Sequence, residues 1–206
     1  DKRSKESAQR MLKDLSAQVI HCDRYSAYSY LEDERVQACR AHLLRDFKAV
    51  AKKSGRVGEV GAALVRWEKK LHEARRQVQH QELSWAQFIE QAQRIKQAQE
   101  VQILSLKEAD RKGVLKWMLS EQGMRAWTFM EHEGLELTNN ASERALRGPV
   151  TQRKISYGSK SDAGQALMQT LWSVHQTCKR LGVSSWQVFE QSLHAHRLGQ
   201  LPNLLF

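Results

Sequence analysis

The chain has 206 residues, of which 41% are hydrophobic and 27% charged, the composition of a folded protein and not of a disordered one. Its 33 basic and 23 acidic residues give a formal net charge of +10. That excess favours a polyanionic partner such as nucleic acid, although a basic protein without one shows the same balance.

No run of eighteen apolar residues occurs, which excludes a membrane-spanning helix. Three scattered cysteines (Cys22, Cys39, Cys178) exclude a disulfide framework and lead us to expect a reducing, cytoplasmic setting. The opening Asp1-Lys2-Arg3-Ser4 is polar, is no signal peptide and lacks an initiator methionine, so a fragment or a processed chain is expected.

Lys2 to Leu15 reads as an amphipathic helix with Ala8, Met11, Leu12 and Leu15 on one side. The short apolar-rich run Ala17 to Cys22 predicts a buried strand ending at Asp23. A turn through Tyr25, Tyr28 and Leu31 leads to a second strand, Val36 to Cys39. Helix, strand, turn and strand in that order predict an α/β pattern in a mostly helical chain.

From about Ala41 to Glu133 the pattern is helical throughout. Val60, Leu64, Trp67 and Leu71 recur at helical spacing, followed by Trp85, Phe88, Ile89, Ala92 and Ile95, then Leu115, Met118 and Leu119. This block is predicted to be an all-helical insertion. Thr138 or Asn139 is a suitable N-cap for a helix carrying Glu143, and Pro149 is expected to end it, leaving Thr151 to Ser159 extended or looped. Leu167, Leu171, Val174, Cys178 and Leu181 mark one face of a further helix, and Ser184 or Ser185 caps a last one running to about Leu198. Three segments follow from this reading: 1–40, the helical insertion 41–135, and 136–206.

Two acids stand out. Asp23 follows an apolar strand, and the carboxyl ends of strands in α/β sheets are where ligands gather. A carboxylate there can hold a hard divalent cation, or it can cap the following turn. Glu143 lies near the start of its helix with Arg144 and Arg147 beside it, an arrangement that is also an ordinary surface ion pair. The basic residues Arg144, Arg147, Arg153, Lys154 and Lys160 surround that acid, as metal-assisted phosphodiester chemistry requires: the acid holds the cation and the basic groups hold the DNA backbone.

Cys39 and His42 form a lone C-x-x-H with no second pair to complete a zinc site, so a packing or hydrogen-bonding role is expected of them. No glycine-rich phosphate loop, serine-hydrolase elbow or H-E-x-x-H is present.

Several segments carry a family resemblance when taken in order. They are Cys22-Asp23-Arg24-Tyr25-Ser26-Ala27-Tyr28, Cys39-Arg40-Ala41-His42, Ala126-Trp127-Thr128-Phe129, Thr138-Asn139-Asn140-Ala141-Ser142-Glu143-Arg144 and Arg153-Lys154-Ile155-Ser156-Tyr157-Gly158-Ser159. Together they resemble the insertion-sequence sixty-six family of DDE transposases, from near residue 2 to the closing Leu201-Pro202-Asn203-Leu204-Leu205.

The resemblance implies a partial ribonuclease-H-like core with a large helical insertion. It implies that Asp23 and Glu143 are the second and third catalytic, metal-holding carboxylates, with two Mg²⁺ or Mn²⁺ ions in the complete enzyme. It also implies DNA-binding roles for Arg144, Arg147, Arg153 and Lys154. The reaction would be DNA strand cleavage and transfer at transposon ends, the partners terminal inverted repeats and target DNA, and the active complex a homo-oligomer.

Arg40 departs from the family's usual aromatic, a change expected to weaken local packing. The first carboxylate has no place here, because the N-terminal helix leaves no room before Asp23 for the strands that carry it, and Asp1 and Asp14 are poor substitutes. The alternatives are a catalytically inactive DNA-binding remnant of a transposase and a ribonuclease-H-like nuclease unrelated to transposition.

Overall fold

The computed structural model describes residues 4–13 and 15–201. Asp1, Lys2 and Asp14, named above, lie outside the described residues, as do Pro202, Asn203, Leu204 and Leu205. The chain divides into two compact units, Asp1–Asn140 and Ala141–Phe206.

In the first unit, helix α1 (Lys5–Leu12) starts where the Ser4 side chain accepts the Ser7 N–H. Of the predicted apolar face only Ala8 is buried, while Met11 and Leu15 are exposed. The helix packs on the short 3-10 turn Ser26–Tyr28, and the two elements bury one alanine each, Ala8 and Ala27.

Strands β1 (Ile20–Cys22) and β2 (Val36–Ala38) are parallel, with Ile20 opposite Val36, His21 opposite Gln37 and Cys22 opposite Ala38. The Cys39 N–H extends the ladder by donating to the Cys22 carbonyl at 2.9 Å. Parallel neighbours need a crossover of about a dozen residues or more, and residues 23–35 supply it through the 3-10 turns Ser26–Tyr28 and Asp33–Arg35. Both strands lie where the sequence predicts but are shorter. Ala17 to Val19 and Cys39 fall outside the strands themselves.

Helices α2 (Arg40–Ala51), α3 (Gly55–Gln79), α4 (Trp85–Leu104) and α5 (Val114–Met118) follow, the last two separated by the 3-10 turn Glu108–Asp110. No strand interrupts them among the described residues, as the periodicity predicts. Their apolar stripes meet in one core that includes Phe47, Leu64, Leu71, Phe88, Ile103 and Leu115, with Phe129 and Leu137 closing it.

The turn between α2 and α3 is unusually close. A Cβ on Gly61 would lie 2.4 Å from the Ala51 amide nitrogen, and one on Gly58 would lie 1.9 Å from the Lys53 carbonyl oxygen. Only glycine permits that backbone approach. At the start of α4, Ser84 and Gln87 form a reciprocal capping box that satisfies two end donors.

The second unit holds α6 (Asn140–Ile155) from its second residue onward, α7 (Asp162–Leu181) and α8 (Ser185–Arg197). The expectation that Pro149 ends α6 is overturned: the helix runs through it, and Thr151 to Ile155 are helical. The clash that normally drives the residue before a proline out of the α region involves that residue's Cβ. That residue is Gly148, which has none. The bare glycine is also where α7 packs, since a Cβ there would lie 2.8 Å from the Trp172 ring.

Helix α7 ends at Gly182 in the left-handed conformation, with the Val183 N–H bonded to the Cys178 carbonyl. Ser184 caps α8. Of the predicted α7 stripe, Cys178 is fully buried but Leu167 and Leu181 stay exposed. Among the described residues no helix is long and apolar enough to cross a membrane.

Candidate functional site

Asp23 is the residue immediately beyond β1, half-buried at the carboxyl end of the parallel pair. Its Oδ1 accepts the Tyr25 N–H at 3.1 Å, so it does cap the turn that opens the crossover. One hydrogen bond leaves most of a carboxylate's roughly four acceptor positions available. The capping role fixes the group's orientation without using it up.

Around Asp23 lies a small cleft of about 40 Å³, large enough for water or a bare ion. Ser26, Ser29, Gln122 and Trp117 line it with Cys22, Arg24 and Arg125. Two arginines brace it. Arg24 pairs with Asp46 of α2 and lies 5.1 Å from the Trp117 ring. Arg125, almost wholly buried, binds Asp33 and donates to the carbonyls of Tyr28 (3.3 Å) and Leu31 (2.8 Å). That single side chain therefore holds the irregular crossover, and with it the turn that Asp23 begins.

The donor set suits a hard cation more than a soft one. Burial pushes the Cys22 thiol up to about 11, so it stays protonated at neutral pH and is a poor ligand. Burial likewise lowers the His21 pKa, against the opposing pull of Glu136, but the imidazole does not line the cleft. Of the lining side chains, Asp23, Ser26, Ser29 and Gln122 offer oxygens of the kind that magnesium takes. Among the described residues no three His, Cys, Asp or Glu side chains gather into a metal-binding group.

Glu143, Arg144, Arg147, Arg153 and Lys154 all lie on α6, in the second unit, and all are exposed. Helical spacing puts Glu143, Arg147 and Lys154 on one strip, with Arg144 and Arg153 flanking it on opposite sides. One helix thus displays the acid inside a basic surface.

Cys39 is buried at the N-terminal end of α2 and bonded to β1 through its backbone. This is the packing role expected of it.

Arg40 does not loosen the packing as expected. It is fully buried, donating from Nε and Nη2 to the Glu68 carboxylate at 2.8 and 2.6 Å and from Nη1 to the Ala126 carbonyl at 2.9 Å. Its guanidinium also lies 4.2 Å from the Trp127 ring. Burial alone would raise the Glu68 pKa, but the Arg40 charge, aided by His72 nearby, outweighs it and brings the group from 4.5 to about 2.

The Arg40 backbone N–H donates to the Leu137 carbonyl, so one residue ties the strand end to α3, to segment 126–129 and to the chain approaching α6. Beside it, Thr128 donates to the Val36 carbonyl and the Phe129 N–H to Gln37, so the Ala126-Trp127-Thr128-Phe129 segment is bonded to β2.

The Arg40–Glu68 pair and the Arg125 clamp were not identified from sequence. For the pair a signal existed. Glu68 stands on the apolar stripe between Leu64 and Leu71, and Gln99 stands between Ile95 and Ile103 on α4, with its Nε2 3.4 Å from Glu68. Polar residues on two apolar stripes point to a buried partner. Nothing local marks Arg125.

The sequence profile of the Transposase IS66 family matches residues 1–166. An uncharacterized protein, y4jO, of Sinorhizobium fredii (strain NBRC 101917 / NGR234) is 44% identical over 57 residues, which cover 28% of this chain and 18% of that protein. The chain therefore spans less than a fifth of the length of this curated relative. No solved structure matches it.

Proposed function

Because the chain belongs to the Transposase IS66 family, we propose that it forms part of a DNA strand-transfer enzyme in which Asp23 and Glu143 serve a divalent-metal centre. The observation that carries this reading is the position of Asp23, fixed by the Tyr25 N–H at the carboxyl end of a parallel strand with acceptor capacity to spare. The surrounding core is read as ribonuclease-H-like, and residues 41–135 as its helical insertion. The parallel pair with a carboxylate at its end supports this.

Bound Mg²⁺ or Mn²⁺ ions would activate the attacking water or 3′-hydroxyl and stabilise the leaving oxygen. The chain's own residues do the holding. Asp23 and Glu143 present oxygen ligands, while Arg144, Arg147, Arg153 and Lys154 contact phosphates, positioning the strand more than reading its sequence. The proposed partners are terminal inverted repeats and target DNA, engaged by a homo-oligomer.

Manganese titration followed by electron paramagnetic resonance tests the metal role. Asp23→Asn and Glu143→Gln should each weaken binding by about tenfold or more. Wild-type affinity in both variants would overturn the metal reading. If DNA binding persisted in that case, the inactive DNA-binding module would stand in its place.

A further inference from the structure

We propose that the ring of Tyr157, just past the end of α6, is a platform on which an unpaired base of bound DNA stacks. The proposal rests on the reading that DNA is the partner, and it adds to the phosphate contacts a residue that meets the bases.

Among the described residues three Phe, Trp or Tyr side chains are exposed: Tyr25, Trp186 and Tyr157. The Tyr25 ring meets the Tyr28 ring edge-on, with centroids 6.4 Å apart, and the neighbouring Arg24 is engaged by Asp46 and Trp117. Trp186 lies in the first turn of α8 with no basic residue within four positions of it. Tyr157 is 94% exposed and stands between exposed cations, Arg153 and Lys154 before it and Lys160 after it. The Arg153 stem runs beside the same turn, since a Cβ on Gly158 would lie 3.8 Å from Arg153 Cγ. Proteins hold single strands with this combination: cations follow the backbone and an aromatic face receives a base.

The backbone carries a second, independent observation. Tyr157 has φ +56°, in the left-handed region where a bulky L side chain is a rare exception. Just past their ends, α7 and α8 enter the same region on Gly182 and Gly199, which have no Cβ to clash. The chain after α6 places tyrosine there although a glycine, Gly158, is the very next residue. Among the described residues no ring contact, ion or hydrogen bond engages the Tyr157 side chain, so no packing offsets the strain. A ring held in water in a conformation that glycine would relieve fits a binding role and not a folding one.

The test is binding of the full chain to two end-labelled duplexes, one blunt and one with an unpaired extension of about 5 nucleotides that includes a fluorescent base analogue. Anisotropy of the end label gives the affinity, and the analogue's emission reports stacking. The wild type should bind the extended duplex more tightly and change the analogue's emission. Tyr157→Gly should weaken that binding by about 5- to 100-fold, remove the emission change and leave the affinity for the blunt duplex as it was. Tyr157→Phe keeps the ring and should behave as the wild type. Neither variant removes a charge, so the salt dependence should keep its steepness. The melting temperature of Tyr157→Gly should hold or rise, because the left-handed strain is gone.

Wild-type affinity for the extended duplex in Tyr157→Gly, an equal loss on the blunt one, or no preference of the wild type for the extension overturns the stacking role while the DNA partner stands. A fall in melting temperature with Tyr157→Gly also overturns it, by making the ring part of the fold. A shift in sedimentation without a change in DNA affinity overturns it in favour of a protein contact. A chain that binds neither duplex overturns the platform and the DNA partner together. The manganese experiment still judges Asp23 independently.

Discussion

Replacing Arg40 by methionine removes a guanidinium while keeping a side chain that fills much of the space. The carboxylate left behind is Glu68, whose side chain is fully buried. It would lose both short bonds to Arg40 and keep only Gln99 Nε2 at 3.4 Å and His72 Nε2 at 3.5 Å, the latter without a hydrogen bond.

Breaking a buried pair by removing one partner costs about 3–5 kcal/mol, because the remaining charge has no water and no counter-ion. With a urea dependence of about 2 kcal/mol per molar, a loss of about 4 kcal/mol moves the unfolding midpoint down by about 2 M. Urea titrations of the full chain, followed by far-UV circular dichroism and tryptophan fluorescence, measure the shift.

The double variant Arg40→Met/Glu68→Leu should recover most of the loss, since a buried pair replaced on both sides by apolar groups is often neutral or better. The cycle should therefore show a coupling well above 1 kcal/mol. If Arg40→Met alone costs under about 1 kcal/mol, or the double variant is no better than the single, the pair does not hold the strand end to α3 as described here.

The same carboxylate sets an acid limit. Its folded pKa, about 2, lies below the ordinary 4.5, so its contribution is fully present above pH 4.5 and is lost as the pH falls from there toward 2. Melting temperature followed through that window should fall steeply in the wild type and less steeply in Glu68→Gln. Gly61→Ala should destabilise by about 1–3 kcal/mol, because the added methyl meets the Ala51 backbone and not a movable side chain. Thermal unfolding measures it, and a neutral result would mean that the α2–α3 turn is looser than described.

Pro149→Ala restores an N–H in the middle of α6 and should stabilise that helix by about 1–3 kcal/mol, visible as increased helicity and a higher unfolding midpoint. A loss of helicity would show that the proline is needed where it stands.

The order of elements was legible from sequence because apolar periodicity is a local property. Val60, Leu64 and Leu71 recur at the helical repeat whatever lies opposite them, and the short run ending at Cys22 reads as a strand for the same reason. The motif residues were legible too, with Asp23 ending a strand and Glu143 opening a helix.

What the residues could not state was which groups meet. Arg40 read as a defect until Glu68, on another helix, was brought against it. Arg125 lies far along the chain from the carbonyls of Tyr28 and Leu31 that it holds, and no local pattern records such a partner. Pro149 read as a stop because the rule depends on the preceding Cβ, which Gly148 lacks.

Sequence alone determined the helical character, the two short strands and the acids that terminate or open these elements, since each follows from interactions between near neighbours in the chain. Tertiary structure decided how a buried arginine is neutralised, which stripes are covered and how the crossover behind Asp23 is held. Those depend on desolvation and on contacts between segments that only the folded chain brings together.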